Sequence, residues 1–292
     1  PSYVKNRASL VQELLDLPPL PPTALLLTAD AVSMYTNIDT DHGLTTLKDV
    51  LPDTATGRAT HKGLSLLMRN NVFKFGDTFW LQLSGTAMGT PPAPPYATLY
   101  YSAREEYLLQ AYRDYLLFYR RYIDDVFAIW DFNSHESYNA FARFQSDMKF
   151  GTLDWEVDQP SVSVNFLDLH LYIADDNRVH TKLHEKVLNL YLYIPPHSCH
   201  PPGVLKGLIF GAFHRVFTLT SQSEERKRVL SNLLRRLCRC GYRRDKLLPL
   251  FHTAYARYNN VTTTTQCPPT APTETPGQHV ILHMPYHPLN PS

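Results

Sequence analysis

The apolar residues of this chain fall into runs whose period switches between two and about three and a half residues, which predicts a mixture of strands and helices. Residues 24–35, "ALLLTADAVSMY", form a continuous apolar block that ends at Asp30, the pattern of a short buried strand passing into a turn. Helical spacing follows around 41–50 and again over 58–70. "NVFKFGDTFWLQL" (71–83) alternates around Gly76 and Asp77 and predicts a β-hairpin. A Gly/Pro-rich loop, "SGTAMGTPPAPP", leads into a helical stretch from about 95 to 116. "FYRRYIDDVFAIW" (118–130) reads as two strands with Asp124 and Asp125 at their bend. A helix over 134–149 and strands near 152–158, 163–173, 178–186 and 188–194 complete this part.

Beyond "IPPHSCHPPG" only helical spacing remains, near 203–219, 223–240 and 244–258. In the second of these, Val229, Leu230, Leu233, Leu234 and Leu237 make an apolar stripe, and Lys and Arg occupy much of the rest. The expected fold class is therefore α+β: a split βαβ, ferredoxin-like sheet with helices on one face, followed by an all-helical region. The tail "TTTTQCPPTAPTETPGQ" has no means of building a core.

Composition sharpens this only locally. In 292 residues, 43% hydrophobic content supports a folded chain, while a net charge of +1 identifies no partner. Residues 224–246 are the exception, with nine Lys/Arg against Glu224, Glu225 and Asp245. No apolar run approaches the roughly 18 residues of a membrane helix and nothing resembles a secretory signal, so an intracellular, soluble protein with no membrane partner is expected. The four Cys match no zinc-ribbon spacing; "HSCH" (197–200) invites a metal reading, against which stands an ordinary loop.

The chemistry lies in the acids. Two adjacent carboxylates within buried strand sequence repel each other and resist desolvation unless a cation is present. Oxygen donors without His or Cys favour Mg²⁺ or Mn²⁺. If the strand ending at Asp30 neighbours the hairpin bearing Asp124 and Asp125, three carboxylates could hold two ions and serve in-line phosphoryl transfer. The Tyr-x-Asp-Asp string alone is weak, and an Asp-Asp pair is commonly a solvated turn.

Five blocks in order, "TADAVSMYTNIDTDHGL", "GTAMGTPPAPPYATLYY", "RYIDDVFAIW", "VNFLDLHL" and "YLYIPPHSCHPPGVLKGLIFG", resemble the reverse transcriptase domain of Penelope-like retroelements over about residues 1–260. The resemblance implies an RNA-directed DNA polymerase that extends a DNA or RNA primer with deoxynucleoside triphosphates on an RNA template, using two Mg²⁺ or Mn²⁺ ions. It implies a right-hand palm at 24–195 and a helical thumb at 196–260. Residues 1–23 would then be a remnant of largely missing fingers, and 261–292 a Pro/Thr-rich linker or tail. Asp30, Asp124 and Asp125 match the catalytic acids, with the Ala31 carbonyl expected in the metal shell. Tyr35 matches a steric gate against a ribonucleotide 2′-hydroxyl. Gly85, Thr86, Ala87, Met88 and Gly89 match the nucleotide-binding loop, and Tyr122 a primer contact. Lys186, Lys206, Arg228, Arg235 and Arg236 fit contacts along the primer–template backbone. Nuclear localisation is expected from the family only. A GIY-YIG endonuclease follows the polymerase in many members; neither half of that signature occurs here. Two alternatives stay open at this level: a repurposed nucleic-acid-binding remnant without catalysis, and a metal-dependent nuclease or phosphatase using the same acids.

Overall fold

The computed structural model describes residues 2–86, 88–185 and 190–261. They fold as two compact units that divide between His184 and Glu185.

The first unit is organised around a four-stranded antiparallel sheet. β1 (Ala24–Ala31) is paired on one side with β5 (Asp125–Asp131) and on the other with β6 (Trp155–Val157), and β4 (Leu116–Tyr122) lies outside β5, giving the order β4-β5-β1-β6. Ahead of β1 stands α1 (Arg7–Leu15). Between β1 and β4 the chain forms α2 (Met34–Asn37), α3 (Thr40–Val50), α4 (Ala55–Arg69), the hairpin β2 (Val72–Phe75) and β3 (Thr78–Leu81), and α5 (Ala93–Ala111); α6 (His135–Asp147) connects β5 to β6. A strand, a helical excursion, a hairpin, a helix and a returning strand in this order make the split βαβ sheet expected from the sequence.

Alternation along the strands decides which side is buried. Leu27, Ala29 and Ala31 of β1 and Val126, Ala128 and Trp130 of β5 face a core shared with Tyr96, Tyr100 and Tyr101 of α5, Leu44 and Leu47 of α3, and Phe141 and Phe144 of α6. Trp130, fully buried, donates its indole N–H to Ser137 Oγ at 2.9 Å, so its one polar atom is satisfied. The opposite face carries Leu26, Thr28 and Asp30. A three-stranded antiparallel sheet made by β7 (Ser163–Phe166), β8 (Leu169–Ile173) and β9 (Val179–Leu183) lies over it, with the Phe166 ring 5.8 Å from Phe127.

Three sequence expectations are corrected. The helix predicted to reach 116 ends at Ala111, because the Tyr112 amide closes it on the Leu108 carbonyl and Tyr115 stacks on Trp130 at 6.0 Å, committing Leu116 to the sheet. The single strand predicted over 163–173 is a hairpin: Phe166 pairs with Leu169, and Leu167 takes a left-handed φ of 55°. Residues 190–194 form no strand, since Tyr191 is also left-handed (φ 47°); 188 and 189 lie outside the described residues.

The second unit contains α7 (Val204–Leu219), α8 (Ser223–Arg239) and α9 (Arg244–Val261). Its core gathers Phe213 and Phe217 of α7, Leu230, Leu233 and Leu237 of α8, and Leu247, Phe251 and Ala254 of α9. The apolar stripe read from the sequence is thus the packed face of α8, which leaves Lys227, Arg228, Arg235 and Arg239 exposed, while Arg226 and Arg236 are partly buried. Among the described residues no helix is long and apolar enough to cross a membrane.

Candidate functional site

Asp30 occupies the next-to-last position of β1, where it pairs with Asp125 of β5 on one side and Glu156 of β6 on the other. Directly opposed residues of antiparallel strands project to the same face. Three carboxylates therefore stand in a row across three neighbouring strands, on the face away from the helical core. Two residues back on the same face, Thr28 donates to Asp158 at 2.6 Å. Asp30, Asp125, Glu156 and Asp158 line a cleft of about 260 Å³ that is bounded on its far side by Asn165, Phe166 and Leu167.

Asp124 is brought in by the turn between β4 and β5. Tyr122 and Asp125 are paired, so Ile123 and Asp124 form a two-residue loop, with Ile123 at φ 56°. This is a conformation that a β-branched side chain rarely adopts. The Ala31 N–H donates to the Asp124 carbonyl at 2.9 Å, tying the turn to the end of β1.

The electrostatics are those of crowded acids. Burial, and then the Asp124 and Asp30 charges, push Asp125 up to about 6. Burial, followed by Asp124 and Glu156, raises Asp30 as well. Each group is held toward its neutral form by partial desolvation and by like charge, the condition that a divalent cation reverses.

Tyr35, on α2, joins the same neighbourhood: burial and then the Asp124 charge raise its hydroxyl. Its carbonyl accepts the Thr86 N–H at 2.6 Å, and Thr86, buried, donates its hydroxyl to Met68 Sδ at 3.2 Å. Gly85 makes this docking possible, because a Cβ there would stand 2.8 Å from the Tyr35 carbonyl oxygen, and its φ is 79°. Gly89 (φ 87°) lies in open space and Met88 is exposed; Ala87 lies outside the described residues. Tyr122 is half-buried and its ring stacks on Tyr3 at 6.4 Å.

The structure thus brings Asp30, Ala31, Tyr35, Gly85, Thr86, Tyr122, Asp124 and Asp125 to one region of the first unit. Met88 and Gly89 follow in the same loop of the first unit, Lys206, Arg228, Arg235 and Arg236 belong to the second unit, and Lys186, like Ala87, lies outside the described residues. Lys206 sits 5.6 Å over the Phe210 ring, Arg228 pairs with Glu225 at 2.8 Å and Arg235 bonds Asn232 at 2.5 Å. Arg236 is committed internally: it bridges Glu185 at 2.9 and 3.2 Å and stacks 3.4 Å over Tyr191.

The donor set, carboxylate oxygens with a half-buried, charge-crowded member, suits a hard divalent cation by its chemistry. Among the described residues, however, no three His, Cys, Asp or Glu side chains converge tightly enough to enclose an ion, whether at this cleft or at 197–200. Sequence reasoning missed Glu156 and Asp158. The alternation in "DWEVD" marks them as one face of a strand, but only the long-range pairing with β1 makes them neighbours of Asp30. It also missed a fully buried ion pair behind the turn, between Arg121 and Glu105.

A family model described as an animal helix-turn-helix domain matches residues 192–248, which include α7 and α8. No curated protein matches the chain. Among solved structures, telomerase from Candida albicans in complex with a fragment of telomeric RNA matches at 12% identity, covering 87% of this chain and 42% of that one, with a TM-score of 0.52. Apo telomerase from Candida tropicalis, truncated from its C-terminal domain, matches at 12% identity over 59% of this chain and 39% of that one, with a TM-score of 0.43. The RNA polymerase complex inside a double-stranded RNA virus matches at 12% identity over 75% of this chain and 21% of that one, with a TM-score of 0.46. The chain spans about two fifths of the length of the telomerase chains that it matches. At this identity the likeness to the Candida albicans enzyme is one of fold alone.

Proposed function

We propose that this chain is the palm and thumb of an RNA-directed DNA polymerase of the Penelope-like type, adding deoxynucleotides to a primer 3′-hydroxyl on an RNA template. The observation that carries the reading is the meeting of Asp30 with Asp124 and Asp125 at one end of adjacent strands, across more than 90 positions of sequence, with Tyr35 alongside. In this reading residues 24–195 are the palm, 196–260 the thumb, 1–23 a connector toward fingers, and 261–292 a linker.

Asp30, Asp124 and Asp125, with the Ala31 carbonyl, would hold two Mg²⁺ or Mn²⁺ ions, which supply activation of the primer hydroxyl and stabilisation of the leaving phosphate oxygen. The residues of the chain do the rest. The Tyr35 ring occupies the space that a ribonucleotide 2′-hydroxyl needs. Gly85 and Thr86, docked on the Tyr35 carbonyl, set the floor on which a base pair rests, and Met88 and Gly89 continue that loop into solvent. Tyr122 lies along the primer end. Lys206, Arg228 and Arg235 face phosphates with salt-dependent, sequence-independent affinity; Lys186 has the same role in this reading, and Arg236 acts through its Glu185 pair.

The test is primer extension on a defined RNA template with Mg²⁺ or Mn²⁺, comparing wild type with Asp124→Ala and Tyr35→Ala. Incorporation that is abolished by the first change, and admits ribonucleotides after the second, is expected. Failure of the wild-type chain to incorporate any nucleotide sinks the enzymatic reading. The helix-turn-helix match at 192–248 favours a second reading, a non-catalytic binder of nucleic acid duplexes. Binding that survives Asp124→Ala, weakens steeply with salt and is accompanied by no incorporation is its signature.

A further inference from the structure

We infer that Arg121 and Glu105 are positioning residues for Asp124, acting through the backbone of the turn that carries it. Arg121 lies on β4 facing the helical core and has no solvent exposure. Its Nε and Nη2 donate to the two carboxylate oxygens of Glu105, on α5, at 2.7 and 2.9 Å. Nη2 also reaches the Thr98 carbonyl of the same helix at 2.9 Å, and Nη1 donates to the Ile123 carbonyl at 2.7 Å. The guanidinium therefore clamps one rigid helix to the first residue of the acidic turn.

That residue is the one in need of a clamp. Ile123 holds a left-handed φ of 56°, which a β-branched side chain keeps only where its surroundings over-determine it. The next residue is Asp124, whose carbonyl is fixed from the other side by the Ala31 N–H at 2.9 Å. Two contacts on consecutive carbonyls, one from Arg121 and one from β1, thus set where the Asp124 carboxylate begins. α5 starts at Ala93, four residues past Gly89, so the same helix anchors both the acidic turn and the glycine loop.

A purely stabilising role does not need this chemistry. A buried ion pair contributes little over apolar side chains of the same volume, whereas apolar side chains offer no donor to the Ile123 carbonyl. The two roles therefore separate in the double variant Arg121→Met/Glu105→Leu of the full chain. Its melting temperature is expected to fall by only a few degrees, the cost of the partners lost by the Ile123 carbonyl and by the Ser2 hydroxyl, which donates to Glu105 at 2.8 Å. The Ala31 amide, measured by hydrogen exchange, is expected to exchange at least ten-fold faster, with the Thr28 amide unchanged. In primer extension, which rests on the polymerase reading, kcat is expected to fall at least ten-fold with KM for the nucleotide unchanged. Should the double variant not fold, Arg121→Lys is put through the same measurements; its single ammonium cannot serve Glu105 and the Ile123 carbonyl together, and the same changes are expected. Unchanged Ala31 exchange overturns the inference, as does unchanged kcat in an active protein. If the wild type incorporates nothing, the polymerase reading fails by itself and the Ala31 amide alone decides the positioning role.

Discussion

Replacing Asp125 by Asn should make the first unit more stable at neutral pH while abolishing any metal-dependent chemistry. The carboxyl is pushed from 3.8 to about 6 by burial and by the neighbouring Asp124 and Asp30 charges. A raised folded-state pKa means that the folded protein holds this proton more tightly than the unfolded chain does. The wild type then loses stability as pH rises through the window from about 4 to about 6, and carries the full penalty above it. At about 1.4 kcal/mol per pKa unit the ceiling is about 3 kcal/mol; since the side chain is half-buried and screened on its open side, about 1.5 kcal/mol is the working figure. Asn keeps the shape and removes the charge, so Asp125→Asn should raise the melting temperature by roughly 3–6 °C at pH 7.5 and leave it unchanged below pH 4. Thermal unfolding followed by circular dichroism at both pH values measures this. Added Mn²⁺ should raise the melting temperature of wild type at pH 7.5 and have a smaller effect on the variant. A variant that is less stable than wild type at pH 7.5, or a gain of equal size at both pH values, would refute the electrostatic account.

Three further outcomes can be checked, the first two with the same melts. Gly85→Ala places a Cβ 2.8 Å from the Tyr35 carbonyl in a left-handed residue and should cost about 2–3 kcal/mol, whereas Gly89→Ala, equally left-handed but in open space, should cost only about 1 kcal/mol; equal losses would mean that the loop is not docked on Tyr35. Arg236→Ala should destabilise the helical unit by about 1 kcal/mol at neutral pH, because it removes the partner of Glu185. Arg236 holds Glu185 below its ordinary value of 4.5, so this contribution is present above about pH 4.5 and disappears as pH falls through the lowered value. Arg235→Ala should leave the melt unchanged and instead lower duplex affinity, with the salt slope in anisotropy titrations reduced by about one.

How much of this was legible in the sequence depends on the range of the contact that decides each feature. β1 was readable because a strand buried on both faces is a continuous apolar run, and Asp30 stood out as the first charge to interrupt it. The acidic turn and the apolar stripe of α8 were readable for the same local reason. The break at Leu167 left only a faint trace: "SVNFLDLHLYI" shifts the phase of its alternation at Phe166-Leu167, but it contains no Gly, Pro or Asn at the turn and is bent by a left-handed Leu. Tyr112–Leu116 has helical composition but is taken from α5 by the stacking of Tyr115 on Trp130. One missed feature did leave a signal. In "FYRRY" two adjacent arginines on a strand must point to opposite faces, so one of them had to enter the core and find an acid there. Arg120 is the outer one, pairing with Glu13 at 2.6 Å, and Arg121 the inner.

The two ends of the β5 strand bear on where function resides. At its far end Asp131 is locally satisfied: its carboxylate accepts from Thr23 at 2.5 Å and from Asn133 at 2.8 Å, and its carbonyl accepts from Ser137. At its near end the rules of local consistency fail together. A β-branched residue is left-handed, three acids crowd one another, and the guanidinium that bonds the Ile123 carbonyl is buried behind the turn. Strain and like-charge repulsion confined to a few residues of an otherwise well-packed sheet are what a pre-organised site requires, since the same groups relaxed would scatter. Tolerance of that cost at Ile123–Asp125, and nowhere else along β5, is the physical reason to look for the chemistry there rather than in the larger apolar surfaces of the β2–β3 hairpin.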